Sequence, residues 1–250
     1  MNSYSHKINN EYFLNLDKHV NIDYLKENYK ELVKSVVKSN NYYDFLIPMS
    51  DEILFNKETK TYEDFQKLNK FINSDEYTDL INQGFSKLQI TEYYQYFNII
   101  DPVGMKLVLK YPESIQNRMS SRNSCYTTAY QNFKILDNWL STLTIFKEIG
   151  TIVLYVNKKG SRTLTHRDFD SRFKIVKNQG IWVNIYQKKK FYVLDESFQK
   201  QYTNSSVAMF DLHAWHGSEI VDQDCFTIRI DGYFTDDFLK TANLKEYFDE

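Results

Sequence analysis

The sequence predicts an α+β fold: a mainly helical N-terminal region, then short antiparallel strands forming a sandwich or jelly roll, then a short C-terminal helix. Two observations divide the chain this way. All three prolines (Pro48, Pro102, Pro112) precede residue 113, whereas five of the seven glycines lie from Gly150 onward. Around the same point the apolar period changes from three or four residues to two, the change from helix to strand. Three regions are therefore expected, residues 1–149, 150–234 and 235–250, packed together as one compact domain.

Four helices are expected in the first region. In YLKENYKELVKSVVKS (24–39) the residues Tyr24, Leu25, Tyr29, Leu32, Val33, Val36 and Val37 form one stripe at helical spacing, with Asn21 or Asp23 as its cap. TYEDFQKLNKFINS (61–74) aligns Phe65, Leu68, Phe71 and Ile72, and DEYTDLINQGFSKL (75–88) is ended or interrupted by Gly84. The fourth is QNFKILDNWLSTLTIFKEIG (131–150), with Phe133, Leu136, Leu140 and Leu143 facing inward and Gly150 as its stop.

Beyond Gly150, β-branched and aromatic residues alternate with polar ones. Strands are expected at 151–157, 162–168, 172–176, 181–187, 190–196, 206–212, 218–222 and 225–234, separated by turn signals such as KKGS and NQG. The final stretch, TDDFLKTANLKEYFDE, reads as a capping helix. About eight short strands behind a helical region fit a sheet structure that carries helices on one side.

Composition removes several functional classes. Lys and Arg (31) balance Asp and Glu (33), for a net charge of -2, so the chain lacks the overall basic footprint of a nucleic-acid-binding protein. Two cysteines, Cys125 and Cys225, do not make a disulfide framework. The polar start MNSYSHKINN is no secretory signal, and no apolar run approaches the roughly 20 residues that cross a bilayer. A cytoplasmic protein with no membrane partner is expected; the oligomeric state is not legible.

Histidine and arginine carry the chemistry. Of five histidines, His166, His213 and His216 lie in the strand-rich region. His166 and Asp168 form an H-x-D pair, and residues at i and i+2 of a strand share a face. With one more histidine they make two imidazoles and a carboxylate, the set that binds non-haem Fe(II) on one side and leaves positions open. On an extended chain His213 and His216 face opposite ways, so at most one of them is expected to be a ligand unless the backbone bends between them. Arg229 is the only arginine after Arg172 and stands among buried-strand residues in FTIRIDG. A buried guanidinium needs a carboxylate-like partner, either within the protein (Asp231 or Glu219) or in a ligand. Arg162, Arg167, Arg172 and Lys174 cluster around H-x-D as a solvated basic rim. H-R-D at 166–168 also occurs in protein-kinase catalytic loops, but the Asn five residues on, D-F-G and the Gly-rich loop are absent.

Taken together, His166-x-Asp168, His216-Gly217 and Arg229 thirteen residues after His216 resemble the 2-oxoglutarate and Fe(II)-dependent oxygenase superfamily, over roughly residues 150–234. The resemblance implies a double-stranded β-helix (jelly roll, cupin-like) core. It implies Fe(II) held by His166, Asp168 and His216, 2-oxoglutarate as cosubstrate with its far carboxylate on Arg229, and O2 as co-reactant. The implied activity is a dioxygenase that hydroxylates an unidentified small molecule, amino acid or protein side chain and releases succinate and CO2. Many family members place Ser or Thr two residues after the arginine; this chain has Asp231. A carboxylate there cannot help bind a carboxylate, so Thr227, on the same strand face, is the expected hydroxyl contact. Trp182, Asn184 and Tyr186 share one face of their strand, and Asn184 is a further candidate for hydrogen bonding to the cosubstrate. A non-catalytic cupin-like or jelly-roll binding protein is the other reading that these residues leave open.

Overall fold

The structure is a computed structural model that describes residues 6–45, 70–87, 89–90, 104–112, 119–121, 124–168, 177–185 and 189–249. The strand expected at 172–176, most of the helix expected at 61–74, and Arg172, Lys174 and Tyr186 lie outside the described residues.

Two antiparallel sheets face one another. The larger contains β1 (Leu14–Asn15), β2 (Asp44–Phe45), β3 (Met105–Pro112), β4 (Ser124–Tyr126), β5 (Phe146–Asn157), β6 (Gly180–Asn184), β9 (Val207–Met209) and β11 (Cys225–Phe234), in the order β1-β9-β6-β11-β5-β3-β2 with β4 beside β3. The smaller contains β7 (Phe191–Leu194), β8 (Lys200–Tyr202) and β10 (His216–Ser218), in the order β10-β7-β8. A bridge between His166 and His216 lays segment 162–168 along the free edge of β10. From β5 onward the chain thus alternates between sheets: β5 in the large one, 162–168 in the small, β6 large, β7 and β8 small, β9 large, β10 small, β11 large. That winding is a double-stranded β-helix, and with its helices the chain is an α+β protein.

Alternation on β11 assigns the two faces of the large sheet. Phe226, Ile228, Ile230 and Phe234 join Leu154, Val156, Ile181 and Val183 in the main core. Against this face pack α1 (Asp23–Glu27), α2 (Tyr29–Lys38), α4 (Ile135–Leu140) and α5 (Asp236–Thr241), through Leu25, Leu32, Leu136, Trp139 and Phe238. Thr235 caps α5 with its side-chain oxygen, which accepts the Phe238 N–H at 3.2 Å; α6 (Lys245–Asp249) follows it. Leu154 has no solvent exposure, so Leu154→Ala is expected to lower stability by about 2–5 kcal/mol. Urea unfolding of the variant measures it.

Several elements differ from the expectation. The helix expected over 24–39 is present but breaks at Asn28 into α1 and α2. The expected helix over 75–88 appears as α3 (Asp75–Asn82), capped by Ser74. The helix expected over 131–150 is a 3-10 turn (Thr128–Phe133) and the short α4; from Phe146 the chain is already β5. Ile145, Phe146, Ile149, Ile152 and Leu154 satisfy a sheet better than a helix once β11 and β3 flank them, and pairing overrides local propensity. β3 was not expected, yet Met105, Leu107 and Leu109 are buried at period two. β8 was not expected either: KQY is polar because it forms the edge of the small sheet.

Candidate metal centre

Antiparallel partners across a ladder project to the same side. On the inner face of the large sheet, Tyr155, Thr227 and Asn184 therefore form one row, Val153, Arg229 and Trp182 the next, and Thr151, Asp231 and Gly180 a third. The small sheet faces these rows and carries the histidines.

The backbones of His166 and His216 hydrogen-bond reciprocally, His166 N–H to His216 O at 2.9 Å and His216 N–H to His166 O at 2.7 Å. Their rings lie 4.4 Å apart between centroids. Asp168 is tied in by its own N–H, which donates to Leu212 O at 3.0 Å. The result is a group in which one ligand atom from each of His166, Asp168 and His216 lies within 4.8 Å of the others. Asp168 Oδ1 is 3.4 Å from His166 Nε2 and 3.9 Å from His216 Nε2.

Each imidazole is oriented by its own strand. His166 Nδ1 donates to Leu164 O at 2.7 Å, and His216 Nδ1 to Ala214 O at 2.8 Å. That tautomer puts the lone pair on Nε2, the atom that faces Asp168. Burial, then the neighbouring His166, pushes the His216 pKa down to about 3, with Asp168 opposing only in part. The ring is neutral, as a metal ligand must be. Burial by itself raises the Asp168 carboxyl, but the Arg229 guanidinium, helped by His166 and His216, more than reverses this and holds it well below the usual carboxylate range. One carboxylate and two imidazoles whose Nε2 atoms face it fit a divalent ion such as Fe(II) with open positions opposite.

His213 does not join this group. The extended run expected from Met209 to Gly217 is interrupted by a turn, in which Ala214 N–H bonds Asp211 O at 3.1 Å, and His213 N–H caps Asp211 Oδ1 at 3.0 Å. His216 reaches the ligand set because β10 begins after that turn. Arg167, between the two ligands of the H-x-D pair, stacks over Trp215 at 4.9 Å.

Arg229 is held within the protein: Nη1 donates to Asp168 Oδ2 at 2.6 Å and Nε to Asp231 Oδ1 at 3.1 Å. Burial works against its charge, but Asp231 and Asp168 keep it ionised, with a pKa well above the usual value. Nη2 is buried and has no hydrogen-bond partner among the described residues, as has Thr227 Oγ1. Asn184 donates from Nδ2 to Lys189 O at 3.2 Å.

Lys189 is a buried charged residue that sequence reasoning missed. Its side chain is in the barrel at 3% exposure, donating from Nζ to Thr163 Oγ1 at 2.8 Å, and it lies 6.0 Å from the Tyr155 ring centroid and 5.9 Å from that of Phe191. No carboxylate of the described residues pairs with it. Burial pushes its pKa down to about 7, opposed only by Cys225. In KKK it reads as a polar turn; the available signal was that Lys189, Phe191 and Val193 share one strand face.

No family model and no curated protein matches the sequence. Among solved structures, the chain is similar to an oxidoreductase of the 2OG-Fe(II) oxygenase family from Burkholderia pseudomallei, with a TM-score of 0.35 and 8% identity over 59% of this chain and 78% of that one. It is similar to a Pseudomonas putida prolyl-4-hydroxylase with a TM-score of 0.30 and 6% identity, over 58% of this chain and 81% of that one. An RmlC-like cupin protein from Desulfovibrio desulfuricans matches with a TM-score of 0.25 and 12% identity, over 33% of this chain and 70% of that one. All three are distant in sequence and in superposition. No helix among the described residues is long and apolar enough to cross a membrane.

Proposed function

We propose that the protein is an Fe(II)- and 2-oxoglutarate-dependent dioxygenase whose catalytic core is residues 150–234. The observation that carries this reading is the convergence of His166 Nε2, Asp168 Oδ1 and His216 Nε2, with both imidazole tautomers fixed, in a barrel whose interior holds a buried lysine that pairs with no carboxylate among the described residues. Iron and 2-oxoglutarate, when bound, supply O2 activation coupled to oxidative decarboxylation, leaving succinate, CO2 and a hydroxylated product.

The chain's own residues divide the work. His166, Asp168 and His216 present one side of the metal site. Lys189 seats the far carboxylate of the cosubstrate, because an ammonium taken from water without a partner is costly and a carboxylate offsets that cost. Thr163, which holds Lys189, is three residues before His166, a strand rise on the order of 10 Å. A five-carbon dicarboxylate is of the length to reach from the metal end toward that ammonium. Thr163 and Tyr155 offer hydroxyl donors to the same carboxylate, and Thr227 and Asn184 line the row beside them. The family resemblance gives the carboxylate to Arg229; two of the three nitrogens of that guanidinium are already engaged, whereas Lys189 has no carboxylate partner among the described residues. The prime substrate is an unidentified small molecule, amino acid or protein side chain, and the protein works in the cytoplasm away from membrane and nucleic acid.

Calorimetry with Mn(II) and N-oxalylglycine tests the reading. One Mn(II) per chain is expected, with N-oxalylglycine binding the metal-loaded protein and not the metal-free one, and with succinate formed from 2-oxoglutarate when Fe(II) is supplied. Absence of stoichiometric metal, or equal binding of N-oxalylglycine with and without it, overturns the proposal and favours a binding protein of the same fold.

A further inference from the structure

We infer that Arg229 is a positioning residue for the metal ligand Asp168, turning that carboxylate so that a single oxygen faces the two imidazoles. The inference rests on the metal site proposed above, but concerns a role that the resemblance does not give this arginine. Asp168 Oδ1 looks toward both Nε2 atoms, at 3.4 and 3.9 Å, while Oδ2 is turned away and receives Arg229 Nη1 at 2.6 Å. A carboxylate can bind a divalent ion through one oxygen or two. With Oδ2 occupied by a guanidinium, the one-oxygen mode is set before any ion arrives, and a coordination position that a second oxygen would take is kept open.

Arg229 is itself fixed from behind. Nε donates to Asp231 Oδ1 at 3.1 Å, and the same oxygen receives Asn178 Nδ2 at 2.8 Å. Asp231 is buried at 2% exposure and lies against Gly180, where an added Cβ would stand 2.5 Å from Asp231 Oδ1. Gly180 therefore leaves the space in which this carboxylate sits. The Asp found two residues after the arginine thus has a physical reason: it anchors the guanidinium and directs Nη1 to Asp168. Between two carboxylates, Arg229 retains no uncompensated charge for an anionic ligand, in contrast to Lys189 deeper in the barrel.

Mn(II) titration of Arg229→Gln and Arg229→Lys, each checked for cooperative thermal unfolding, decides the matter. Loss of a partner that orients a ligand typically costs 10- to 100-fold in metal affinity. Arg229→Gln is expected to weaken Mn(II) binding by about that factor, and Arg229→Lys, which keeps a cation but not the fork, to recover part of it. At saturating Mn(II), the N-oxalylglycine affinity of both variants is expected to stay within about threefold of wild type. Should Arg229→Gln not fold, Arg229→Lys carries the test with the same two titrations. Mn(II) affinity at the wild-type level in the variants, or N-oxalylglycine affinity at saturating metal falling more than tenfold, overturns the inference. A wild-type protein that takes up no Mn(II) fails the metal-site proposal instead, so the two failures are distinguishable.

Discussion

His166→Ala, Asp168→Ala and His216→Ala are each expected to lose stoichiometric metal, by more than the roughly 10- to 100-fold that removal of a supporting partner costs. Three protein atoms make the site, and two cannot define one side of an ion. The variants should differ in the metal-free state. Asp168→Ala leaves the Arg229 Nη1 without its 2.6 Å partner while Nε keeps Asp231, and losing a hydrogen bond to a charged group costs about 1.5–3 kcal/mol. The histidine variants leave the Asp168–Arg229 contact in place and should be milder. His213→Ala is the control and should retain one metal ion per chain. Metal analysis after dialysis, together with thermal unfolding, separates the four proteins; metal loss in His213→Ala with retention in His216→Ala would refute the assignment.

Lys189→Met is expected to weaken N-oxalylglycine binding to the Mn(II) protein by about 2–4 kcal/mol, since it removes a buried charge-assisted contact of nearly the same shape. The same change should stabilise the ligand-free protein, because an unpaired buried charge is replaced by an apolar chain. The pH dependence follows from the sign of the shift. Lys189 titrates near 7 in the fold, below its unfolded value, with the Tyr155 phenol and the Cys225 thiol as its titratable neighbours. Between about pH 7 and the unfolded value, the unfolded chain binds more protons, so ligand-free stability rises with pH across that window. A seated carboxylate favours the ammonium, so binding above pH 7 takes up a proton, and affinity should fall by up to about tenfold per pH unit. Calorimetry from pH 7 to 9 on wild type and Lys189→Arg checks this: the arginine variant should show a flatter profile. Identical profiles would remove Lys189 from the seat.

The grouping of His166, Asp168 and His216 was legible because its chemistry is local in residue type. H-x-D puts two side chains on one strand face whatever surrounds them, and His216 was identifiable from its distance to Arg229. The extended run expected between the two histidines does not hold: the turn at Asp211–Ala214 separates His213 from the group that His216 joins. Arg229 was recognisable as buried and in need of a carboxylate, but which carboxylate takes it depends on how two sheets face each other, and only Asp231 lies on its own strand. Lys189 was illegible for the opposite reason. Lysine in a run of three reads as solvated, and burial of the middle one emerges only when Phe191 and Val193 are seen to point the same way. The start of β5 reads as helix because Ile145 and Phe146 also suit a helical stripe, and nothing local reports that β11 pairs with Phe146, Glu148 and Ile149.

The reciprocal backbone bonds between His166 and His216 place the two imidazoles on strands whose nearest points are separated by a long excursion of chain. An ion gripping both rings would act as a clasp on that excursion, whose closure otherwise costs entropy that grows only slowly with its length. The strands of the small sheet are three or four residues each, too short to resist local opening by their own pairing. Metal uptake should therefore register beyond the ligands themselves, as slowed amide hydrogen exchange at Ser218, whose N–H crosses to Thr163 O, and at Leu194, whose N–H donates to Trp215 O beside His216.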